Sequence, residues 1–254
     1  MIQPGLVSIS FRTLSARDVC ELAARCKLRG IEWGGDIHVP HGDAQAAREA
    51  AQISRDFGLD VAAYGSYYRA GTKQDFAPVL ASALELGAPS IRVWAGNEGS
   101  AQTDAQKQET ITEDLIRIAE TASAQGVVVA TEYHGGTLTD TPQSCAQLLC
   151  ETQGSGLQTL WQPLAFTSPQ SEEENLAALR EASPRLLNVH VYQWLRRADG
   201  VERRPLREGR DEWRTYFAAL PEGNRWALLE FVVDDAPENL DEDARALREI
   251  LSSL

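Results

Sequence analysis

No run in this 254-residue chain approaches the ~18 uninterrupted apolar residues that a bilayer-spanning helix needs, so membrane insertion is not expected. Cysteine is sparse as well. Cys20, Cys26, Cys145 and Cys150 contain no C-x-x-C pair, which removes a zinc clip and a dithiol redox motif and leaves buried free thiols as the expectation. Basic residues are outnumbered, 24 Lys and Arg against 37 Asp and Glu, and the resulting net charge of -13 repels polyanions; a nucleic acid is not the expected substrate. The opening Met1-Ile2-Gln3-Pro4-Gly5 has no basic stretch ahead of an apolar one, so a cytoplasmic location is expected. No G-x-G-x-x-G follows the first apolar run, where Ser10-Phe11-Arg12-Thr13 stands instead, which argues against a dinucleotide cofactor.

What the chain does carry is alternation. Short apolar runs at positions 6–11, 30–33, 61–64, 91–94, 127–131, 157–161, 186–191 and 226–232 alternate with stretches of helical periodicity, and glycine or proline punctuates the joins. Positions 74–86 place Phe76, Val79, Leu80, Ala83 and Leu84 on one helical face, with Gly87 just beyond. A second helix is expected over 103–125, a third starts at Thr141-Pro142 as N-cap and first helical residue, and a last one spans 239–251. Eight βα units whose strands are apolar on both faces suit a closed parallel barrel better than an open sheet. The expectation is an α/β architecture, a (β/α)8 TIM barrel formed as a single domain over residues 1–254.

In such a barrel the reactive groups stand at the C-terminal ends of the strands. Run five leads into Glu132-Tyr133-His134, run six into Gln162, run seven into His190 and run eight into Glu230. A carboxylate closing an apolar strand is costly to bury unless it is paired, protonated or shared with a cation. Glu132, Gln162, His190 and Glu230 together form a mixed oxygen and nitrogen donor set that suits Mn2+, Mg2+ or Co2+, with Zn2+ a further candidate. A competing reading pairs the glutamates with a barrel arginine such as Arg92 and makes His190 a hydrogen-bonded core residue. Glu32 and Arg92, inside runs two and four, are expected to form a buried ion pair.

The order Glu132, Gln162, His190, Glu230 is similar to that of the xylose isomerase-like barrel family of sugar-phosphate isomerases and epimerases. Ketose 3-epimerases, inosose isomerases and dehydratases, and endonuclease IV are among its members. Gly30-Ile31-Glu32-Trp33-Gly34-Gly35-Asp36, Ile91-Arg92-Val93-Trp94-Ala95-Gly96 and His190-Val191-Tyr192-Gln193-Trp194 extend the likeness along the chain. The resemblance implies a metal held by those four residues. It also implies proton transfer beside a carbonyl, with Glu132 and Glu230 as base and acid, on a keto-sugar, sugar phosphate or inosose. The chain departs from the family at Gln162, where an aspartate is usual, and from ketose 3-epimerases at Ala165, where a histidine is usual. A metal-dependent isomerase or epimerase is therefore expected. The alternatives are a dehydratase using the same site and a non-catalytic sugar-binding or partner-binding barrel that has lost its metal. An endonuclease is opposed by the acidic charge and by the lack of further histidines beyond His38, His41, His134 and His190.

Substrate contacts are expected around this set. Tyr192 and Trp194 share the strand parity of His190, and His134 shares that of Glu132. His38 and His41 follow run two, with Asp43 as the next helix cap, and the resemblance points to Arg196. Arg196, Arg197, Arg203, Arg204, Arg207 and Arg210 crowd the segment after run seven. There they either grip an anionic group or pair with Asp199, Glu202, Glu208 and Asp211. A homodimer is left open by the sequence.

Overall fold

The computed structural model describes residues 1–164, 170–197 and 200–254; Ala165 and Asp199 lie outside the described residues. From the N-terminus the chain lays down β1 (Ile2–Val7), β2 (Gly30–Gly34), β3 (Asp60–Arg69), β4 (Ser90–Trp94), β5 (Val128–Glu132), β6 (Gln158–Trp161) and β7 (Leu186–Val191). An antiparallel hairpin of β8 (Gln193–Arg197) and β9 (Gly200–Arg204) follows, and then β10 (Arg225–Leu229). The seven strands and β10 are parallel neighbours in sequence order, and β10 pairs with β1 to close the barrel. Helices α1 (Ala16–Arg25), α2 (Ala44–Asp56), α3 (Ala77–Leu86), α4 (Ala105–Ser123), α5 (Pro142–Glu151), α6 (Glu172–Ala182), α7 (Arg210–Ala218) and α8 (Leu240–Ser252) return the chain between strands. The expected (β/α)8 TIM barrel is the observed fold.

Local chemistry explains the joins. Gly87 ends α3 in the left-handed region that glycine adopts without strain. Thr141 caps α5 through a capping box, and Asp43 caps α2 by accepting from the Ala46 N–H at 2.9 Å. The first strand is shorter than its apolar run suggests. Ser8 Oγ takes the Gly34 N–H at 2.9 Å, and residues Ser8–Phe11 turn into a 3-10 helix.

The larger apolar cluster lies between strands and helices, and a smaller one of Val7, Ile9, Ala62 and Leu228 is joined by Trp226 and Tyr67. Trp226 needs the absence of a side chain at Gly30, where a Cβ would meet its ring at 2.7 Å. Cys20, Cys26 and Cys145 are buried free thiols as expected; Cys150, on the outer face of α5, is exposed.

One buried carboxyl sits on the stability side of the fold. Asp243 Oδ1 accepts from the Leu206 N–H at 2.7 Å, and burial raises its pKa to about 6. A carboxyl with a raised native pKa binds its proton more tightly folded than unfolded, so its contribution to stability is lost as pH rises between about 4 and about 6. Asp243→Asn keeps an oxygen for Leu206 and removes the charge. Urea titrations are expected to show a gain of about 2 kcal/mol at pH 7.5 and none at pH 4; an equal effect at both values would rule out a charge origin.

Candidate active site

The C-terminal ends of the strands bring one polar cluster together inside the barrel. Glu32 from β2, Arg92 from β4, Glu132 from β5, Gln162 just past β6, His190 from β7 and Glu230 just past β10 are all buried. Arg92 bridges two of the carboxylates: Nε donates to Glu32 Oε1 at 2.7 Å and Nη1 to Glu132 Oε2 at 2.7 Å. The expected Glu32–Arg92 pair is thus present, and so is the pairing of Arg92 with Glu132 that competed with the metal reading. Glu230 makes no such pair among the described residues. Gly65 on β3 leaves room for the bridge, because a Cβ there would fall 2.6 Å from an Arg92 amino group and 2.7 Å from Glu32 Oε1.

Both oxygens of Glu132 are engaged, since Oε2 also accepts from Trp94 Nε1 at 2.5 Å and Oε1 accepts from Gln162 Nε2 at 2.9 Å. His190 lies 3.1 Å through Nε2 from Glu32 Oε2. Its other nitrogen, Nδ1, is 3.1 Å from Glu230 Oε2 and 3.4 Å from Glu132 Oε1. Neither approach has hydrogen-bond geometry. His190 Nδ1, Glu230 Oε2 and Gln162 Oε1 are buried atoms with no hydrogen-bond partner, and they belong to three of the four residues of the expected donor set.

The cluster holds three carboxylates. Burial opposes the charge on Glu32, but His190 and Arg92 outweigh it and keep the carboxyl below its usual range. Burial likewise opposes the charge on Glu132, and Arg92 overcomes it and holds that carboxyl far below the usual range. His190 is pushed well above the imidazole range, against its own burial, by Glu32 and Glu230. With a neutral His190 the cluster carries two negative charges in excess; a proton on His190 removes one, and a divalent cation would remove both. Among the described residues no trio of His, Cys, Asp and Glu side chains is already set as a metal cage, and Glu132 is turned to Arg92, Trp94 and Gln162.

An aromatic rim stands above the cluster. Trp94 is crossed edge-on by Tyr67 at 5.1 Å and flanked by His134 at 5.0 Å. On the opposite side Trp194 packs on Tyr192 at 5.4 Å and on Phe231 at 5.0 Å. Tyr67 and Phe231 hold φ values of 57° and 54°, a left-handed conformation costly for aromatic residues, and each adjoins the site. Tyr67 also accepts from Arg12 at 3.0 Å, and Arg12 is paired with Asp36.

The expected substrate contacts are sorted by this geometry. His134 and Trp194 stand on the rim. The Tyr192 hydroxyl donates to the Pro163 carbonyl at 2.5 Å, which commits it to the loop after β6. His38 is tied to Ser8 Oγ at 3.0 Å and the Leu14 carbonyl at 3.2 Å, and His41 to the Ser66 carbonyl at 2.5 Å, so both brace loops. Arg196 is exposed on the hairpin and donates to the Gln170 carbonyl at 3.2 Å. Most of its neighbours pair within the chain: Arg197 with Glu202, Arg203 with Asp235, Arg204 with Glu202 and Glu208, Arg207 with Glu242, and Arg210 with Glu249. Tyr67, Arg69 and Arg12 were not foreseen. The trace of the first two is the Tyr67-Tyr68-Arg69 run beyond the apolar stretch of β3, where a shift in β3–β4 register breaks the alternation.

A family model described as xylose isomerase-like TIM barrel matches residues 20–250. The chain belongs to this family. Within it, the chain is 26% identical over 164 residues to a 3-dehydroshikimate dehydratase of Bacillus anthracis, a stretch covering 60% of this chain and 59% of that protein. The crystal structure of the probable 3-DHS dehydratase involved in petrobactin synthesis in Bacillus anthracis superposes with a TM-score of 0.80 at 21% identity, covering 98% of this chain and 99% of that one. D-psicose 3-epimerase from Clostridium cellulolyticum H10 gives 0.73 at 13% identity, covering 99% of each chain. A family member from Mycobacterium smegmatis solved with magnesium gives 0.69 at 11%, covering 99% of this chain and 97% of that one. Likeness at these identities is likeness of fold. No helix among the described residues is long and apolar enough to cross a membrane.

Proposed function

We propose that the chain is a metal-dependent dehydratase of a small polyhydroxylated keto compound. In this reading the enzyme removes a proton from the carbon beside the carbonyl and then expels the β-hydroxyl as water. The observation that carries the proposal is the inequality of the two carboxylates named as base and acid. Glu132 has both oxygens engaged and is held deprotonated by Arg92, so it is a poor proton acceptor, whereas Glu230 keeps an oxygen without a hydrogen bond. One proton-accepting carboxylate suits an elimination; an epimerase needs a second group able to exchange a proton at the opposite face.

The donor set fits a divalent cation. Three buried donor atoms without a hydrogen bond belong to Gln162, His190 and Glu230, those of His190 and Glu230 lying 3.1 Å apart, and with a neutral His190 the cluster's two excess negative charges match the ion. These three residues would hold it, and Glu132 would join them by giving up the bond of Oε1 to Gln162 Nε2, with Glu32 keeping His190 oriented through Nε2. When bound, such an ion stabilises the negative charge that develops on the substrate's carbonyl oxygen. The chain's own residues handle the protons. Glu230 takes the carbon-bound proton on the carboxylate oxygen not given to the cation, and the electron pair moves toward the carbonyl. As the pair returns, the C–O bond to the β-hydroxyl breaks and the leaving oxygen needs a proton. The proton that Glu230 has taken would supply it, so that water leaves and the carboxylate is restored; His134, whose Nδ1 donates to the Gly135 carbonyl at 2.6 Å, stands on the rim beside this exchange. Tyr67, Trp94, Trp194 and Phe231 exclude water around this exchange.

The isomerase or epimerase outcome is the second reading, favoured by the approach of Glu132 and Glu230 to the same His190 nitrogen. Product mass separates the two when keto acids and keto-sugars are incubated with Mn2+-loaded protein in D2O. Loss of one water supports dehydration. An isobaric product carrying solvent deuterium would replace it with isomerisation, and no turnover or exchange anywhere in the panel would favour a binding role.

Gln162→Asp adds a negative charge to the donor set and takes away the amide donor to Glu132. Calorimetric titration is expected to show Mn2+ binding about tenfold tighter. Without metal the same variant is expected to melt lower than the parent, and saturating Mn2+ should reverse the order. Unchanged affinity would remove Gln162 from the donor set.

A further inference from the structure

Strand β3 ends at Arg69, whose guanidinium lies 4.1 Å from the centre of the Trp94 ring, the indole that donates to Glu132. Arg69 Nη1 donates to the Gly96 carbonyl at 3.3 Å, and the side chain is half-buried. It has no acidic partner among the described residues. Three other arginines around the cluster have one: Arg92 holds Glu32 and Glu132, Arg12 holds Asp36, and Arg203 holds Asp235, while Arg196, which also lacks one among those residues, is exposed on the hairpin. In a chain with 37 acidic and 24 basic residues, a half-buried cation left without a carboxylate beside the cluster is conspicuous. Burial lowers its pKa with no neighbouring charge acting against it, so desolvation of this cation is uncompensated by the chain.

Resting on the keto-compound reading above, we infer that Arg69 receives a carboxylate of the substrate, so that the site selects a polyhydroxylated keto acid over a neutral sugar. Stacking on Trp94 fixes the plane of the guanidinium, and Gly96 ties one amino group, which leaves the fork edge to meet a planar carboxylate through two parallel hydrogen bonds. A phosphate dianion would call for a second cation or an open helix N-terminus. The nearby Lys107 is already committed to Glu98 at 2.7 Å. Arg69 is separated from Glu132 by a single indole, so a carboxylate bound there would place the rest of a small ring over the cluster.

The test is calorimetric titration of Mn2+-loaded protein with 3-dehydroshikimate as the keto-acid probe and D-psicose as the neutral probe, on wild type, Arg69→Gln, Arg69→Lys and Arg196→Gln. Wild type is expected to bind the keto acid. Arg69→Gln should weaken that binding at least about tenfold, with D-psicose changed less than about twofold, Arg69→Lys intermediate and Arg196→Gln near wild type. In turnover, KM for the keto acid should rise about tenfold in Arg69→Gln with kcat within about threefold, the mark of lost substrate binding rather than lost chemistry. Equal keto-acid affinity in wild type and Arg69→Gln overturns the inference. So does loss confined to Arg196→Gln, which would move the carboxylate to the hairpin. Turnover of neutral ketoses with no preference for the acid also overturns it but leaves proton abstraction standing; binding of neither probe by wild type overturns both.

Discussion

Glu230→Gln is expected to lower kcat by about three orders of magnitude while changing the stability of the metal-free barrel little. The two effects part because Glu230 is the buried carboxylate of the cluster without an arginine. Its Oε2 makes no hydrogen bond and faces His190 Nδ1 at 3.1 Å. Neutralising it removes the proton acceptor proposed for the reaction and one metal donor, and its loss of attraction to His190 is offset by relief of like charge beside Glu132 and Glu32. Thermal melts without metal, paired with single-turnover rates on the substrate found by the mass screen, check both halves. Glu132→Gln is the contrasting variant, since it strips Arg92 of one of its two partners and should melt lower. If Glu230→Gln kept more than about a tenth of the parent rate, Glu230 would not be the base.

The second large effect concerns Arg92. Arg92→Met replaces a buried guanidinium by an apolar chain and leaves Glu32 and Glu132 facing each other without the cation between them. Removing one partner of a buried pair costs roughly 3–5 kcal/mol. For a chain of this size that lowers the melting temperature by about 10 °C. Part of the loss should return at low pH, where one of the two glutamates takes up a proton and the repulsion ends. A melting temperature within about 2 °C of the parent at neutral pH would show that the bridge contributes little to the barrel.

The polar cluster was readable because a barrel strand ends where its apolar run ends. Glu132, Gln162, His190 and Glu230 each stand at such an end, and the closed order of strands places them around one axis. The rim was less readable. Tyr67 and Arg69 lie past the run at 61–64, on an extension of β3 that continues through an irregular register with β4, so period-two reasoning stops short of them. The histidines at 38 and 41 read as pocket residues because they follow β2 on the active-site side. Their ring nitrogens instead go to Ser8, Leu14 and Ser66, partners contributed by the chain leading from β1 into α1 and by β3, at sequence separations no local pattern reports. The arginine-rich stretch read as a loop, whereas its two halves pair antiparallel as β8 and β9, and the acids that meet Arg203, Arg207 and Arg210 come from around α8.

By itself the sequence determined the alternation of eight apolar strands with amphipathic helices, their caps, and the polar residue at the mouth of each late strand, because these are set by periodicity and by neighbours a few positions away. Only the tertiary structure decided the state of those polar residues. That Arg92 saturates Glu132 but not Glu230, that Glu32 orients His190 from 158 positions away, and that Arg69 rests on Trp94 without an acid all follow from barrel closure. Closure brings distant side chains within hydrogen-bond reach in a dry interior, where the presence or absence of a single partner sets the charge and reactivity of each group.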